Sequence, residues 1–473
     1  MSSAARDVLD RIIKAYDVRG LVDEIPLELV RALGTAAAVE LVGPSRTFVI
    51  GRDMRSSSPA WAEALAEGVA AQGVEVLDLG LASTDLVSYA SGILDAAAAM
   101  ITASHNPAEY NGIKWCRPGA VPVAIDTGLA TLRELALVAL GDTEAAASTA
   151  GPVPSLRPPT DGGAGRRRTV DLLPRFAEHV RSFIDADRLG EVRVAVDAGN
   201  GMAGHLWPEV VAGLPVVTEP LYFTLDGTFP NHPADPLDPA NLVDLAAAVT
   251  RGGHALGLAF DGDADRVFAV DERGRPVPSS LIGAAVADRL LAREPGATVL
   301  HNLICSQVVP ETIRAAGGIP VRTRVGHSFV KRRMAETDAV FAVEHSGHYY
   351  FRDNYRADSG VIAALVLLEV VGDAGAPLSE VLAPYDRYVG SGELNLEVAD
   401  APVVLDRVQD GFRTRASGSD REDGLTVVVD GGWFNLRPSN TEPVLRLNAE
   451  AHDRASLAQL VDEVLELVGS APR

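Results

Sequence analysis

Three apolar segments in this chain each run into a tight polar turn, and that recurrence limits the possible folds more than any other feature. Thr47-Phe48-Val49-Ile50 leads into Gly51-Arg52-Asp53, followed by helical spacing over 59–72. Val192-Arg193-Val194-Ala195-Val196 leads into Asp197-Ala198-Gly199-Asn200-Gly201, and the segment 255–260 leads into Asp261-Gly262-Asp263. A strand, a turn and a helix make one β-loop-α unit, and three such units predict related α/β domains in tandem. The last hundred residues differ in texture. Alternation in Glu393-Leu394-Asn395-Leu396-Glu397-Val398, apolar runs at 425–429, 433–434 and 444–447, and an amphipathic stretch over 455–468 predict antiparallel strands closed by a helix. The expected fold class is α/β, with three tandem mixed α/β domains and a smaller C-terminal α+β domain. The expected domains are 1–150, 151–254, 255–376 and 377–473. Residues 144–165, rich in Ala, Pro, Gly and Ser, read as a linker, and Arg166-Arg167-Arg168 after it as a solvated basic cap. His232 reads as structural, and Trp207 and Tyr222 as packing residues.

Composition narrows the function. A net charge of −22 argues against a nucleic-acid partner and requires any anion site to concentrate positive charge locally. Two cysteines, Cys116 and Cys305, give no disulfide framework and suit a reducing cytoplasmic compartment. The N-terminus lacks a basic region followed by an apolar core, and the longest apolar stretch, 361–371, is broken by Glu369 and too short to span a bilayer. Only three lysines, Lys14, Lys114 and Lys331, stand against 39 arginines. A lysine kept in such a background suits a site where the cation must lose its proton, which a guanidinium does not do.

Two motifs carry chemistry. Thr102-Ala103-Ser104-His105-Asn106-Pro107 places a hydroxyl on a turn after the apolar run 96–101, because Asn-Pro enforces turn or extended geometry. Taken alone, the same pattern fits a serine that caps its own turn. Far along the chain, Asp261-Gly262-Asp263-Ala264-Asp265-Arg266 alternates three carboxylates with the two smallest residue types. In extended geometry alternate side chains point the same way, and three converging carboxylates call for a hard cation, magnesium or calcium rather than zinc. A calcium loop of the EF-hand kind fails, since its sixth position is Arg266 rather than glycine and its flank reads as a strand.

These motifs, with Glu344-His345-Ser346-Gly347-His348 and Arg437-Pro438-Ser439-Asn440-Thr441-Glu442-Pro443, resemble the four signature loops of the α-D-phosphohexomutases, in that family's order and over essentially the whole chain. The match is nearest to the phosphomannomutase/phosphoglucomutase branch. The resemblance implies four domains around a central cleft and interconversion of hexose 6-phosphate and hexose 1-phosphate through a phosphoserine at Ser104. It implies Mg²⁺ on Asp261, Asp263, Asp265 and Ser104, and hexose 1,6-bisphosphate as intermediate and activator. Lys114 and His348 take the places of general acid and base, and Arg266 that of a charge-neutralising cation. Residues alone leave Lys114 open, and a lone His348 reads more readily as structural. Glu344 and Ser346 match readers of adjacent sugar hydroxyls, and Arg19, His327, Arg437, Ser439, Asn440 and Thr441 match other substrate contacts. Relatives often carry a lysine in the segment His301-Asn302-Leu303-Ile304-Cys305-Ser306, and this chain has none there. Asn440 favours mannose and glucose phosphates over glucosamine phosphate. A phosphoglucosamine mutase, a Mg²⁺-dependent sugar-phosphate phosphatase and a non-catalytic sugar-phosphate binder are the alternatives. The expected partner is a small sugar phosphate, with no nucleic acid or membrane, for a monomer or small homo-oligomer.

Overall fold

A computed structural model describes residues 2–142, 165–438 and 444–469. Two compact units are present, Met1–Val277 with Ser346–Val381 and Pro278–His345 with Leu382–Arg473.

In the first unit, the N-terminal sheet is centred on Ala97–Ile101, all five residues of which are buried. Its small side chains allow cover on both faces, as a parallel sheet requires. This strand pairs in parallel with Thr47–Arg52, which pairs with Glu75–Leu81. Tyr110–Arg117 runs antiparallel beside Ala97–Ile101, and Val18–Leu21 lies antiparallel beyond it. Helices Leu27–Glu40 and Ser58–Ala70 cover one face, and they meet through glycines. A Cβ on Gly68 would lie 2.0 Å from the Arg31 carbonyl oxygen, so only glycine allows this approach. The arginines read as a basic cap form instead an edge strand, Arg167–Thr169, parallel to Glu75–Leu81. Arg167 is tied to Glu63 and Asp78, and Arg168 to Glu75, so the charges clasp a sheet edge rather than stand in solvent.

The second sheet runs Pro276–Val277, Val267–Asp271, Leu256–Phe260, Val192–Asp197, Val216–Leu221. Leu256–Phe260 pairs in parallel with Val192–Asp197, so the boundary expected at 254/255 falls inside one sheet. The third strand-and-turn repeat is therefore a partner of the second rather than the start of a new domain. Helix Gly360–Ala374 packs here. Its Glu369 is buried yet accepts the Asp185 amide at 3.3 Å, which explains a charge inside an otherwise apolar run. His232 is structural as expected, bonded through Nε2 to Asp197 Oδ2 at 3.0 Å, and Trp207 is buried and donates to Thr218. Tyr222 departs from expectation: it is only half-buried and donates its hydroxyl to Asp244 at 2.6 Å.

In the second unit, Thr298–Asn302 pairs in parallel with Ile319–Thr323 and Phe341–Val343. The C-terminal sheet is antiparallel, in the order Val389–Glu397, Val444–Ala451, Gly432–Pro438, Leu425–Val429, Gly418–Asp420. Helices Ala401–Phe412 and Arg454–Val468 bury an apolar face on it, including Phe412, Leu460 and Val464 against Phe434 and Leu447. Three α/β sheets followed by an antiparallel one is the fold class the residue pattern predicts. The linker expected at 144–165 lies outside the described residues except for Gly165. Among the described residues, no helix is long and apolar enough to cross a membrane.

Candidate active site

The carboxyl ends of parallel strands gather the polar side chains of the first unit, the usual ligand-binding edge of such sheets. Ser104 follows Ala97–Ile101 and adopts φ +51°, a left-handed conformation uncommon for serine. Its amide is held by the Thr102 hydroxyl at 2.9 Å. The acidic loop joins Leu256–Phe260 to its antiparallel partner Val267–Asp271, with Phe260 opposite Val267. Its carboxylates converge through a turn, with Ala264 at φ +62°, and not by the alternation of an extended strand.

These two loops meet. Ser104 Oγ donates to Asp261 Oδ2 at 2.7 Å. Glycine makes the approach possible, since a Cβ on Gly262 would lie 2.4 Å from the Ser104 carbonyl oxygen. Gly262→Ala is therefore expected to cost about 1–3 kcal/mol of stability and to lower kcat by about 10²-fold through misplacement of the hydroxyl. Steady-state kinetics beside a thermal melt would check it, and unchanged kcat would contradict it.

Asp261, Asp263 and Asp265 are buried, and each offers an oxygen within 4.8 Å of the others. Lys114 Nζ donates to Asp263 Oδ2 at 2.7 Å and to Asp265 Oδ2 at 2.6 Å. Arg266 Nε donates to Asp261 Oδ2 at 2.9 Å, and its Nη2 reaches Ser104 Oγ at 3.3 Å. Burial alone would lower Lys114, but Asp263, Asp265 and Asp261 outweigh it and hold the ammonium charged. The near-neutral titration expected of Lys114 is thus not found in this geometry, because the acids are its direct partners. Three carboxylates face two cations, and the imbalance falls on Asp261, which burial pushes upward against the pull of Arg266. Asp263 Oδ1 and Asp265 Oδ1 are buried without a hydrogen-bond partner. An all-oxygen donor set, one uncompensated charge and two unbonded oxygens fit a hard divalent cation.

Of the other residues singled out in the sequence, His348 Nε2 lies 3.7 Å from Asp265 Oδ1, and its Nδ1 shares a hydrogen bond with Ser346 Oγ at 2.9 Å. Arg19 donates to Asn106 Oδ1 at 2.7 Å, beside the serine, and to Asp17. The remainder belong to the second unit. Glu344 is buried and accepts the Gly326 amide at 3.0 Å, just before His327 opens a helix. Arg437 pairs with Glu393 at 2.8 Å. Ser439, Asn440 and Thr441 lie outside the described residues.

Some polar residues of this region carried little signal in the sequence. His105 Nδ1 is 3.2 Å from Ser104 Oγ and contacts Arg266, and burial with that guanidinium keeps the imidazole well below its usual range. Thr84 Oγ1 donates to Asp263 Oδ2 at 2.5 Å from the first turn of helix Thr84–Leu94, so the only available sign was the Ser83-Thr84-Asp85 capping pattern. Arg55 reaches the serine loop from behind. Asp85 is buried beneath, bonded to Ser359 at 2.6 Å and to Ser83, and burial pushes it up to about 7 from an ordinary 3.8. Between those values the unfolded chain is ionised there and the folded one is not, so stability falls as pH rises through that window. The effect is on the order of a few kcal/mol. Asp85→Asn should remove this slope, so that thermal midpoints of the variant gain on wild type between about pH 4 and pH 8. A difference that does not vary with pH would contradict it.

Models of the phosphoglucomutase/phosphomannomutase family match in chain order: alpha/beta/alpha domain I over residues 10–134, domain II over 174–274, domain III over 278–388 and the C-terminal domain over 393–467. The chain belongs to the phosphoglucomutase/phosphomannomutase family. It is therefore a member of an enzyme family, and the loops compared above are that family's. A phosphohexose mutase of Xanthomonas campestris is 38% identical over 450 residues, covering 94% of this chain and 96% of the relative. A phosphomannomutase of Salmonella montevideo is 37% identical over 468 residues, covering 97% and 98%. A crystal structure of a phosphoglucomutase/phosphomannomutase family protein from Burkholderia thailandensis superimposes with TM-score 0.83 at 29% identity, covering 99% of both chains.

Proposed function

We propose that this chain interconverts hexose 6-phosphate and hexose 1-phosphate, with mannose phosphates preferred and glucose phosphates also accepted, through a phosphoserine at Ser104 and a hexose 1,6-bisphosphate intermediate. One observation carries it: the Ser104 hydroxyl lies 2.7 Å from Asp261, a residue 157 positions away, within a cluster of three buried acids. The names of relatives at 37–38% identity over nearly the full length support the sugar assignment.

Asp261, Asp263, Asp265 and an oxygen on Ser104 would hold Mg²⁺. When bound, the ion supplies neutralising charge to the phosphoryl oxygens in transfer. The chain's own residues do the rest. A hydroxyl of the hexose monophosphate attacks phosphorus, the P–O bond to Ser104 Oγ breaks, and the new P–O bond yields the bisphosphate. Lys114 and His348 carry the proton leaving that hydroxyl and return one when the other phosphate is passed back to Ser104. General acid–base help of this kind is worth about 10² to 10⁴ in rate. Arg266, bonded to both Asp261 and Ser104 Oγ, offsets charge at the transferring group. Glu344 and Ser346 read adjacent sugar hydroxyls, while Arg19, His327, Arg437, Ser439, Asn440 and Thr441 hold substrate, chiefly its non-reacting phosphate. Compartment and assembly follow as cytoplasmic, and as monomer or small homo-oligomer.

Incubation with mannose 1-phosphate, Mg²⁺ and a trace of bisphosphate should give mannose 6-phosphate. Free phosphate in its place would mark a phosphatase, and binding without turnover a carrier. Side-by-side rates on mannose, glucose and glucosamine 1-phosphates test the sugar, and the fastest rate on glucosamine 1-phosphate would overturn the preference.

A further inference from the structure

Arg55 is 1% exposed, and every N–H of its guanidinium is used. Nη1 donates to the carbonyl oxygens of Pro107 at 2.7 Å and Tyr110 at 3.1 Å. Nη2 donates to those of Ser104 at 2.9 Å and Asn106 at 2.7 Å. Nε donates to Asp53 Oδ2 at 3.2 Å, while Asp53 Oδ1 accepts the Arg55 amide at 3.0 Å and the Ser58 hydroxyl at 2.6 Å. The ring of Phe229 lies 5.0 Å from Cζ. A planar fork with five donors meets five acceptors, four of them main-chain oxygens of one seven-residue loop, 104–110.

That loop has few bonds of its own. Within it, the Tyr110 amide reaches the Pro107 carbonyl at 3.1 Å, and the Asn106 amide reaches Ala103 at 3.0 Å. Ser104 sits at φ +51°, a conformation that persists only when its surroundings fix it. The Ser104 carbonyl is held by Arg55 on one side and closely approached by Gly262 on the other. We infer that Arg55 is a positioning residue, which clasps the serine loop by its carbonyl oxygens and thereby aims Ser104 Oγ at Asp261. It does this without touching Ser104 Oγ, the acids or substrate. The inference rests on the proposed use of Ser104 as phosphoryl carrier. Lysine keeps the charge but has a single nitrogen at its tip, so it cannot serve four carbonyls and a carboxylate at once.

The test compares the full-length wild type with Arg55→Lys. Amide hydrogen exchange followed by mass spectrometry should show loss of protection at Asn106 and Tyr110, with protection elsewhere in the first sheet unchanged. With mannose 1-phosphate, kcat should fall about 10²-fold, with KM unchanged within about threefold, because binding groups stay in place. Unaltered exchange at 104–110, or loss spread evenly over the sheet, would overturn the inference, as would wild-type kcat. Should Arg55→Lys not fold, Asp53→Asn, which loosens the Nε anchor, is expected to give the same local exchange and a smaller fall in kcat, and wild-type values for both would overturn it. A wild-type chain with no mutase turnover would sink the mutase proposal, while the exchange comparison would still decide the clasp.

Discussion

Ser104→Ala abolishes phosphate incorporation and lowers turnover by roughly 10⁴ to 10⁶, the range expected when a covalent nucleophile is removed. The side chain is 4% exposed and its hydroxyl bonds to Asp261, so the substitution also costs about 1.5–3 kcal/mol as a lost charge-assisted hydrogen bond. Alanine is small enough to keep the turn, and Arg55 continues to hold the loop by main-chain oxygens. Sugar-phosphate affinity therefore stays within a fewfold of wild type. That split between intact binding and lost turnover separates a covalent carrier from a binding protein. Titration calorimetry with mannose 1-phosphate beside steady-state rates would show it, and near-normal turnover would remove the covalent route.

The second large effect concerns Asp263. Its Oδ2 already accepts Lys114 and Thr84, whereas Oδ1 is buried and unbonded, so that oxygen is the natural position for a cation. Asp263→Asn should weaken Mn²⁺ binding, read by electron paramagnetic resonance, by at least about 100-fold, beyond what loss of a supporting contact alone produces. In wild type, metal at about 100 times its Kd should add about 2.7 kcal/mol of stability, and the variant should lose that shift. Turnover falls by about 10² to 10³, as when one preorganised electrostatic group is removed. Without metal, the variant should melt no lower than wild type, because it removes one of three mutually repelling buried carboxylates. A variant that kept the metal-induced shift would show that the ion is held elsewhere.

Much of this site was legible in the sequence because its parts are local. The run 255–260 reads as a strand and the next six residues as an anion-rich turn, whatever surrounds them. The same holds for the strand entering Ser104. What remained hidden depends on contacts between distant segments. Arg55 stands among several arginines near a turn, and nothing nearby in sequence shows that its acceptors lie 49 to 55 residues on. Asp85 and Ser359 are 274 residues apart and look like ordinary helix caps. The strand repeat marked the units correctly but not their grouping, since periodicity cannot show that Leu256–Phe260 pairs with Val192–Asp197. Lys114 was misjudged for a related reason. Its proton affinity depends on which acids it touches, and those carboxylates come from a loop about 150 residues away.

Intact mass followed by peptide mapping, after incubation with hexose 1,6-bisphosphate and again after a chase with mannose 6-phosphate, tests the phosphoryl relay most directly. One phosphoryl group should appear on the peptide carrying Ser104 and leave it during the chase as labelled mannose bisphosphate forms. Turnover that proceeds with Ser104 never modified, or with the phosphoryl group on another residue, would contradict it.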